Sequence, residues 1–530
     1  MRYNRTKLLA FLCAPALFLT GCIEENFPTL TVTEDQVEDA PKGAQALIES
    51  EVAWMTNFNT LERAAGDERH FDFGYPAICV MNEMLGQDVV PLPSNYDQFW
   101  IWHEVNGAAL GPEYIYVAMP WRFFYRLIFL SNKVIGMLDP ATATEQELTA
   151  LGQAYAYRAF AYFNLVQMYQ YTYVGHQNEP AVPIVTEKTT QEESENNPRA
   201  SVEAVYTLIT GDLTKAIEYL ENYDRSYSAR HYIDAQVAHG LAARVYLTME
   251  NWGEARQHAA AAKAGYSPMT EAQFLDETNG FNNMYSQNSW IWGIDLTTDD
   301  DVVRTGLVNW TANMCNETVF GYIMMDGDPV KMIDASLYEQ INPSDWRKKT
   351  WTDEETPSRY YAYYGLMLPK YASRKFQAAN GDGLSSAGAA ADFPLMRVEE
   401  MMLIEAEAAG MQNLAEGKTL LEDLVKTRNA SYTCTAASQQ DFRDEVWLQR
   451  RIELWGEGFS YFDLKRLNKP VTRSYPGTNH YEGSRYNSVG VPYWFNYTIS
   501  RSEVISNKGI PQSANNPTPS TPDDIDPDGL

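Results

Sequence analysis

Two irregular stretches of this 530-residue chain carry side chains suited to one kind of chemistry, the non-covalent holding of polyhydroxylated rings. A sugar offers a flat C–H face to an aromatic ring and hydroxyls to carboxamide, carboxylate and guanidinium groups. Residues 66–106 are broken up by Pro76, Gly86, Pro91 and Pro93 and hold Tyr75, Trp100, Trp102 and His103. Residues 295–330 hold Trp310, Phe320 and Tyr322, close in sequence to Asp295, Asn309, Asn313 and Asp326. Trp100 and Trp102 alternate in QFWIWHEVN, so an extended backbone puts both rings on one face. Trp100, Trp102, Trp310, Tyr75, Phe320, Tyr322 and Asn309 are therefore the candidate glycan-binding residues, with core packing the competing role for each ring. Replacing Trp102 or Trp310 by alanine is expected to weaken glycan binding without unfolding the protein. Trp290 and Trp292 are assigned to a buried strand, and Trp447 and Trp455 to helix packing.

Motifs for covalent chemistry do not stand out. The sequence has no Gly-x-Ser-x-Gly, no phosphate-binding glycine loop, no His-Glu-x-x-His and no dinucleotide fingerprint. Its 70 acidic residues leave room for a carboxylate pair at glycosidase spacing, which keeps an anchored glycoside hydrolase as an alternative. No cofactor is expected. Asp524-x-Asp526-x-Asp528-Gly529 imitates the opening of a calcium loop, but Leu530 precedes the position of the bidentate glutamate, and Asp299-Asp300-Asp301 is the other place weighed for calcium. Cys79, Cys315 and Cys434 lie far apart without CxxC or zinc spacing, so neither a disulfide framework nor a metal finger is indicated, while a single disulfide stays open. A net charge of −29 repels phosphate backbones and argues against a nucleic-acid partner.

The elements that must position the rings are mostly helices. Helical spacing runs through 44–65, 114–138, 145–173, 202–222, 234–249 and 252–264, with Pro120 marking a start or kink and Ser201 a plausible N-cap. Trp252, Ala255 and Ala259 after Ala242, Ala243 and Tyr246 resemble half of a tetratricopeptide repeat, small residues letting helices approach while large rings fill the gaps. Residues 265–392 are rich in Gly, Asn, Asp and Pro, with short apolar runs such as SWIWGIDL, and read as loops with short strands inserted between helical pairs. The expected fold is mainly α, a tetratricopeptide-like superhelix of helical pairs with a large loop-rich subdomain containing short strands.

The densest mixture of charge and aromatics lies in 397–466, read as two helical segments joined by a short polar region. Arg450 can pair with Glu453 three residues on, whereas Glu453 and Glu457 are like charges that need cations, which Arg466 or Arg397 could supply. A structural ion-pair network is the preferred reading over an active site. The runs RVEEMMLIEAEA and QRRIELWGEGFSYFDLKR resemble the C-terminal signature of the SusD/RagB family. That pattern usually has Glu where this chain has Gln449 and often Arg where it has Ser460. Val182-Pro183-Ile184 after the helices of 114–173 also matches.

The resemblance covers about 40–500 and is strongest at 121–173 and 397–466. It implies a non-catalytic surface lipoprotein that binds an oligosaccharide or polysaccharide and passes it to a SusC-like TonB-dependent outer-membrane transporter. In starch-binding relatives an aromatic arc comes from the same two irregular regions. A tetratricopeptide-type scaffold without a glycan site is a further alternative.

The first residues agree with that placement. A basic start (Arg2, Arg5, Lys7) precedes LLAFLCAPALFLT, a run too short to span a bilayer, and then Leu19-Thr20-Gly21-Cys22, which resembles a bacterial lipobox. Cys22 is the expected lipidated N-terminus, its acyl chains anchoring the protein to the outer membrane, facing outward. The expected organisation is a signal peptide at 1–21, a tether at 22–42, a helical region at 43–264 with a ligand loop at 66–106, a loop-rich ligand-binding subdomain at 265–395, a C-terminal helical region at 396–505 and a disordered acidic tail at 506–530.

Overall fold

The computed structural model describes residues 43–62, 69–92, 99–103, 110–320 and 330–519, and the backbone of 525–526. Signal peptide, tether, Cys22 and Tyr322 lie outside the described residues. Eleven of the helices position everything else: α1 (Gly43–Trp54), α2 (Tyr75–Leu85), α3 (Ile115–Met137), α4 (Glu145–Tyr169), α5 (Val202–Leu220), α6 (Ala235–Thr248), α7 (Trp252–Ala262), α8 (Val398–Gln412), α9 (Leu414–Val425), α10 (Gln439–Glu453) and α11 (Ser460–Arg466). From α3 to α8 each helix packs on the next, and α8 packs on both α9 and α10, although more than 100 residues separate α7 from α8. This is the mainly α, tetratricopeptide-like arrangement of helical pairs that the sequence indicates.

The helix ends follow from local chemistry. Thr144 closes a capping box with Glu147 at the start of α4, and Ser201, Asp234 and Asn251 cap α5, α6 and α7. Pro120 sits in the second turn of α3, and the helix runs on to Met137. α4 is buried at every position from Ala150 to Tyr169, and a Cβ on its Gly152 would come within 2.6 Å of Leu220 in α5. Four short strands matter to the site. β1 (Val89–Pro91) pairs antiparallel with β3 (Lys331–Ile333), and β2 (Trp290–Ile294) with β4 (Phe393–Arg397), which leads straight into α8. Trp290 and Trp292 are fully buried in β2, and Trp455 packs in the core, as their patterns suggest.

The charged stretch 397–466 is a buried network, with different partners from those its spacing suggests. α10 ends at Glu453, and Gly456 and Gly458, both at positive φ, turn the chain back into α11. That reversal brings Asp463 to Arg450 (2.7 Å), so Arg450 does not pair with Glu453. Arg466 binds Asp463 and Glu407 rather than Glu453 or Glu457. Arg397 does bridge Glu453 (3.5 Å) and Glu457 (2.8 Å), and Arg428, Arg347 and Lys375, from outside the recognised motif, complete the set. Burial alone would raise the Glu453 and Glu457 carboxyls, but the guanidinium and ammonium groups outweigh it and hold both below the usual range. Gln449 accepts a hydrogen bond from Arg347 (2.7 Å) and Ser460 donates to Asp88 (3.0 Å), so neutral side chains fill the two positions where the family pattern is charged.

One further expectation changes and one open question closes. Residues 506–519 are not a loose tail: Asn507 exchanges hydrogen bonds with the backbone of Asn197, and Asn516 donates to the carbonyls of Tyr169 and Tyr497. Their polar side chains satisfy backbone groups of Tyr169 at the end of α4 and of Asn197 and Tyr497 in loops, a role that composition alone does not reveal. Cys79, Cys315 and Cys434 are buried free thiols, which answers the open question of a disulfide.

Candidate functional site

The β1–β3 pair joins the two irregular regions that the sequence singled out, with Val89 opposite Ile333 and Pro91 opposite Lys331. A small apolar cluster of Val90, Val330, Met332, Leu368 and Ala372 ties a hairpin, Thr356–Pro357 with Met367–Leu368, to the same pair. Of the predicted aromatic residues, Trp100 lies at this end of the molecule with its ring half-buried rather than enclosed.

The backbone at Trp100–His103 is a helical turn, not a strand. Residues two apart on a helix point to nearly opposite sides, so Trp100 and Trp102 do not share a face. Trp102 is 1% exposed and packs among Phe71, Phe99 and Tyr116. Trp100 instead meets Tyr481, itself 50% exposed, edge to face at 5.8 Å.

The support beneath this pair is buried and polar. His103 stacks on His480 at 5.4 Å, and His480 lies 3.4 Å from Asp334, which also accepts from the Tyr475 hydroxyl. Burial and the nearby Arg473 push the His103 imidazole below its ordinary range, and burial does the same to His480, so both rings are neutral at pH 7. The buried Arg473 donates to the carbonyls of Met84, Leu85 and Gly86 at the end of α2 and to that of His103. One guanidinium thereby satisfies the orphan carbonyls of a helix C-terminus and fixes the turn that carries Trp100.

The other predicted residues divide differently. Trp310 is 3% exposed, edge-on to Phe376 (5.2 Å) and Phe393 (4.4 Å). Asn309 is 1% exposed and caps the short helix Trp310–Met314 by accepting from the Ala312 amide. Trp102, Trp310 and Asn309 therefore serve the core, and their burial keeps them from any surface that a ligand can reach. Tyr75 packs among Phe123, Phe124 and Phe160 at the start of α2, away from Trp100. Phe320 is half-buried at the margin of the core.

Sequence reasoning missed the most exposed aromatic group. The hairpin carries a helical turn, Tyr361–Tyr364, closed by Gly365 in the left-handed conformation at φ 67°. Tyr361, Tyr363 and Tyr364 are 50%, 76% and 49% exposed. Tyr360 is buried beneath them, accepting from the Gly383 amide and donating to the Gly381 carbonyl. The signal was present as YYAYYG, four tyrosines in five residues before a glycine. Tyr481 carried no comparable mark, because only the fold brings it to Trp100. Among the described residues, no group of three His, Cys, Asp or Glu side chains could hold a metal ion.

A body of packed helical pairs with short strands and aromatic-bearing loops defines a helical-repeat fold, and comparison with known proteins says which kind. Residues 76–247 match a family model described as starch-binding and associating with the outer membrane, and residues 318–514 match the SusD family model. The chain belongs to the SusD/RagB family. A SusD-like protein P38 of Formosa agariphila is 21% identical, over 75% of this chain and 81% of its own length. A solved SusD-like carbohydrate-binding protein of Bacteroides vulgatus is 27% identical with a TM-score of 0.73, over 88% of this chain and 96% of its own. A solved laminarin-binding SusD-like protein shares the fold at a TM-score of 0.61 and 19% identity, over 88% of this chain and 97% of its own.

Proposed function

We propose that this protein captures oligosaccharides outside the cell and hands them to a SusC-like TonB-dependent outer-membrane transporter, breaking no bond in the process. Membership of a carbohydrate-binding family supports the ligand class, and the solved laminarin-binding relative makes a β-glucan a reasonable first ligand to try. The observation that carries the reading is the Trp100–Tyr481 pair, an indole and a phenol at the surface on a support of buried hydrogen bonds. Sugar rings stack on such faces, and a preformed support lowers the ordering cost of binding. Tyr361, Tyr363 and Tyr364 offer a second set of faces for a longer chain. Anchoring is through lipid on Cys22. No helix among the described residues is long and apolar enough to cross a membrane, and a lipid anchor needs none.

The test is calorimetric titration with a bound glycan. Trp100→Ala and Tyr481→Ala are expected each to weaken binding about tenfold, the worth of a covered aromatic face of roughly 1 kcal/mol or more. Unchanged affinity in both variants would remove this surface from the account.

A further inference from the structure

A cavity of about 310 Å³ lies between α1 and β2. Its inner wall includes Tyr157, Trp292 and Leu395, and its polar groups include Glu49, Asp295 and Asp300. Among the described residues no lysine or arginine lines it. His231, at the wall, is pushed below its ordinary range chiefly by burial and adds no charge at pH 7.

Each carboxylate is engaged on one side. Glu49 Oε1 accepts from the Tyr232 hydroxyl (2.5 Å) and from Gln45 (2.8 Å). Asp295 Oδ2 accepts from the Tyr285 hydroxyl (2.7 Å), and Asp300 Oδ2 from the amide and hydroxyl of Thr297 (2.7 and 2.9 Å). Among the described residues, Glu49 Oε2, Asp295 Oδ1 and Asp300 Oδ1 take no hydrogen bond.

Tyr157 is the independent observation. It is fully buried, lines the cavity, and its hydroxyl has no hydrogen-bond partner among the described residues. A buried hydroxyl left alone is costly, so a ligand that reaches it recovers free energy.

We propose that this pocket binds a compact ligand carrying a primary ammonium group beside hydroxyls, the chemistry of a 2-amino-2-deoxyhexose. The ammonium suits a wall whose described charged groups are carboxylates, and its donors match an open carboxylate oxygen. The volume admits one monosaccharide. The carboxylates are not gathered closely enough to hold a bare metal ion, which favours a ligand that spreads its donors. The site is separate from the Trp100–Tyr481 surface, and its test does not depend on that reading.

The test is calorimetry of the whole protein at pH 7 with glucosamine, glucose, N-acetylglucosamine and lysine methyl ester. Glucosamine is expected to bind about tenfold more tightly than either neutral sugar, the worth of one charge-assisted hydrogen bond. Asp295→Asn and Tyr157→Phe should each weaken glucosamine binding severalfold. The exposed Glu49→Gln, which keeps an acceptor for Tyr232, supplies the same reading if either of these variants fails to fold. Equal affinity for glucosamine and glucose would overturn the proposal, as would glucosamine binding that survives every folded variant unchanged. Lysine methyl ester binding as tightly as glucosamine would overturn the sugar assignment.

Discussion

Glu453 has three guanidinium groups around it and no exposure to solvent, so its removal leaves Arg347, Arg397 and Arg428 facing one another in the interior. Breaking a buried pair costs about 3–5 kcal/mol, and Glu453→Ala should lose that much in urea unfolding with an unchanged m-value. Titration in this part of the core has two opposite signs. Glu407, Glu453, Glu457 and Asp463 have folded pKa values held below the usual carboxylate range, so their stabilisation is present above about pH 4.5 and lost as pH falls. Burial and the nearby Asp88 push Glu83 up to about 8, so it favours the folded state less and less as pH rises from about 4.5 to 8. Glu83→Gln should therefore gain stability relative to the unaltered protein as pH rises from about 4.5 to 8. A difference between the two proteins that stays constant over this range would contradict this assignment. The two tryptophans of WIWH separate in the same spirit: Trp102→Ala should cost about 3–5 kcal/mol by opening a cavity, whereas Trp100→Ala should leave the melting temperature nearly unchanged. The charges of 450–466 were legible as a network because so many ionisable groups among aromatics need partners. Their pairing was not, since it depends on a chain reversal at two glycines.

The long helices were legible because each has apolar spacing and a capping residue of its own. α9 was not legible, since its stretch reads as part of the short polar region joining two helical segments, and Asn413 alone both ends α8 and caps α9. These two helices approach so closely that a Cβ on Gly417 would lie 2.3 Å from the Gly410 Cα, and one on Gly410 would lie 2.0 Å from the Phe442 ring. Gly410→Ala should therefore destabilise by about 1–3 kcal/mol through overpacking, despite alanine's better helix propensity, and a lowered melting temperature would record it. β1 and β3 escaped sequence reading for another reason. Three-residue strands that pair across more than 200 positions leave no local period, yet this pairing joins the two loop regions.

On the scale of the whole molecule, the family signature in 397–466 and the run of helical pairs make the class of protein legible in the sequence. The ligand surface was legible only as a region. Burial decides which of several tryptophans is available, and burial is set by packing between distant segments such as α2 and residues 473–481. The exposed rings follow composition no better, because Tyr481 is isolated in sequence while Tyr361, Tyr363 and Tyr364 sit in a run that composition alone assigns equally to core or surface. The central claim is that rings held open on a helical body give this protein a glycan ligand. The most direct measurement is a glycan array probed with the chain from residue 23 onward and with its Trp100→Ala/Tyr363→Ala double variant. The account predicts a restricted set of glycans bound by the first and lost by the second at an unchanged melting temperature. An array left blank by the unaltered protein, or bound equally by both, would contradict it.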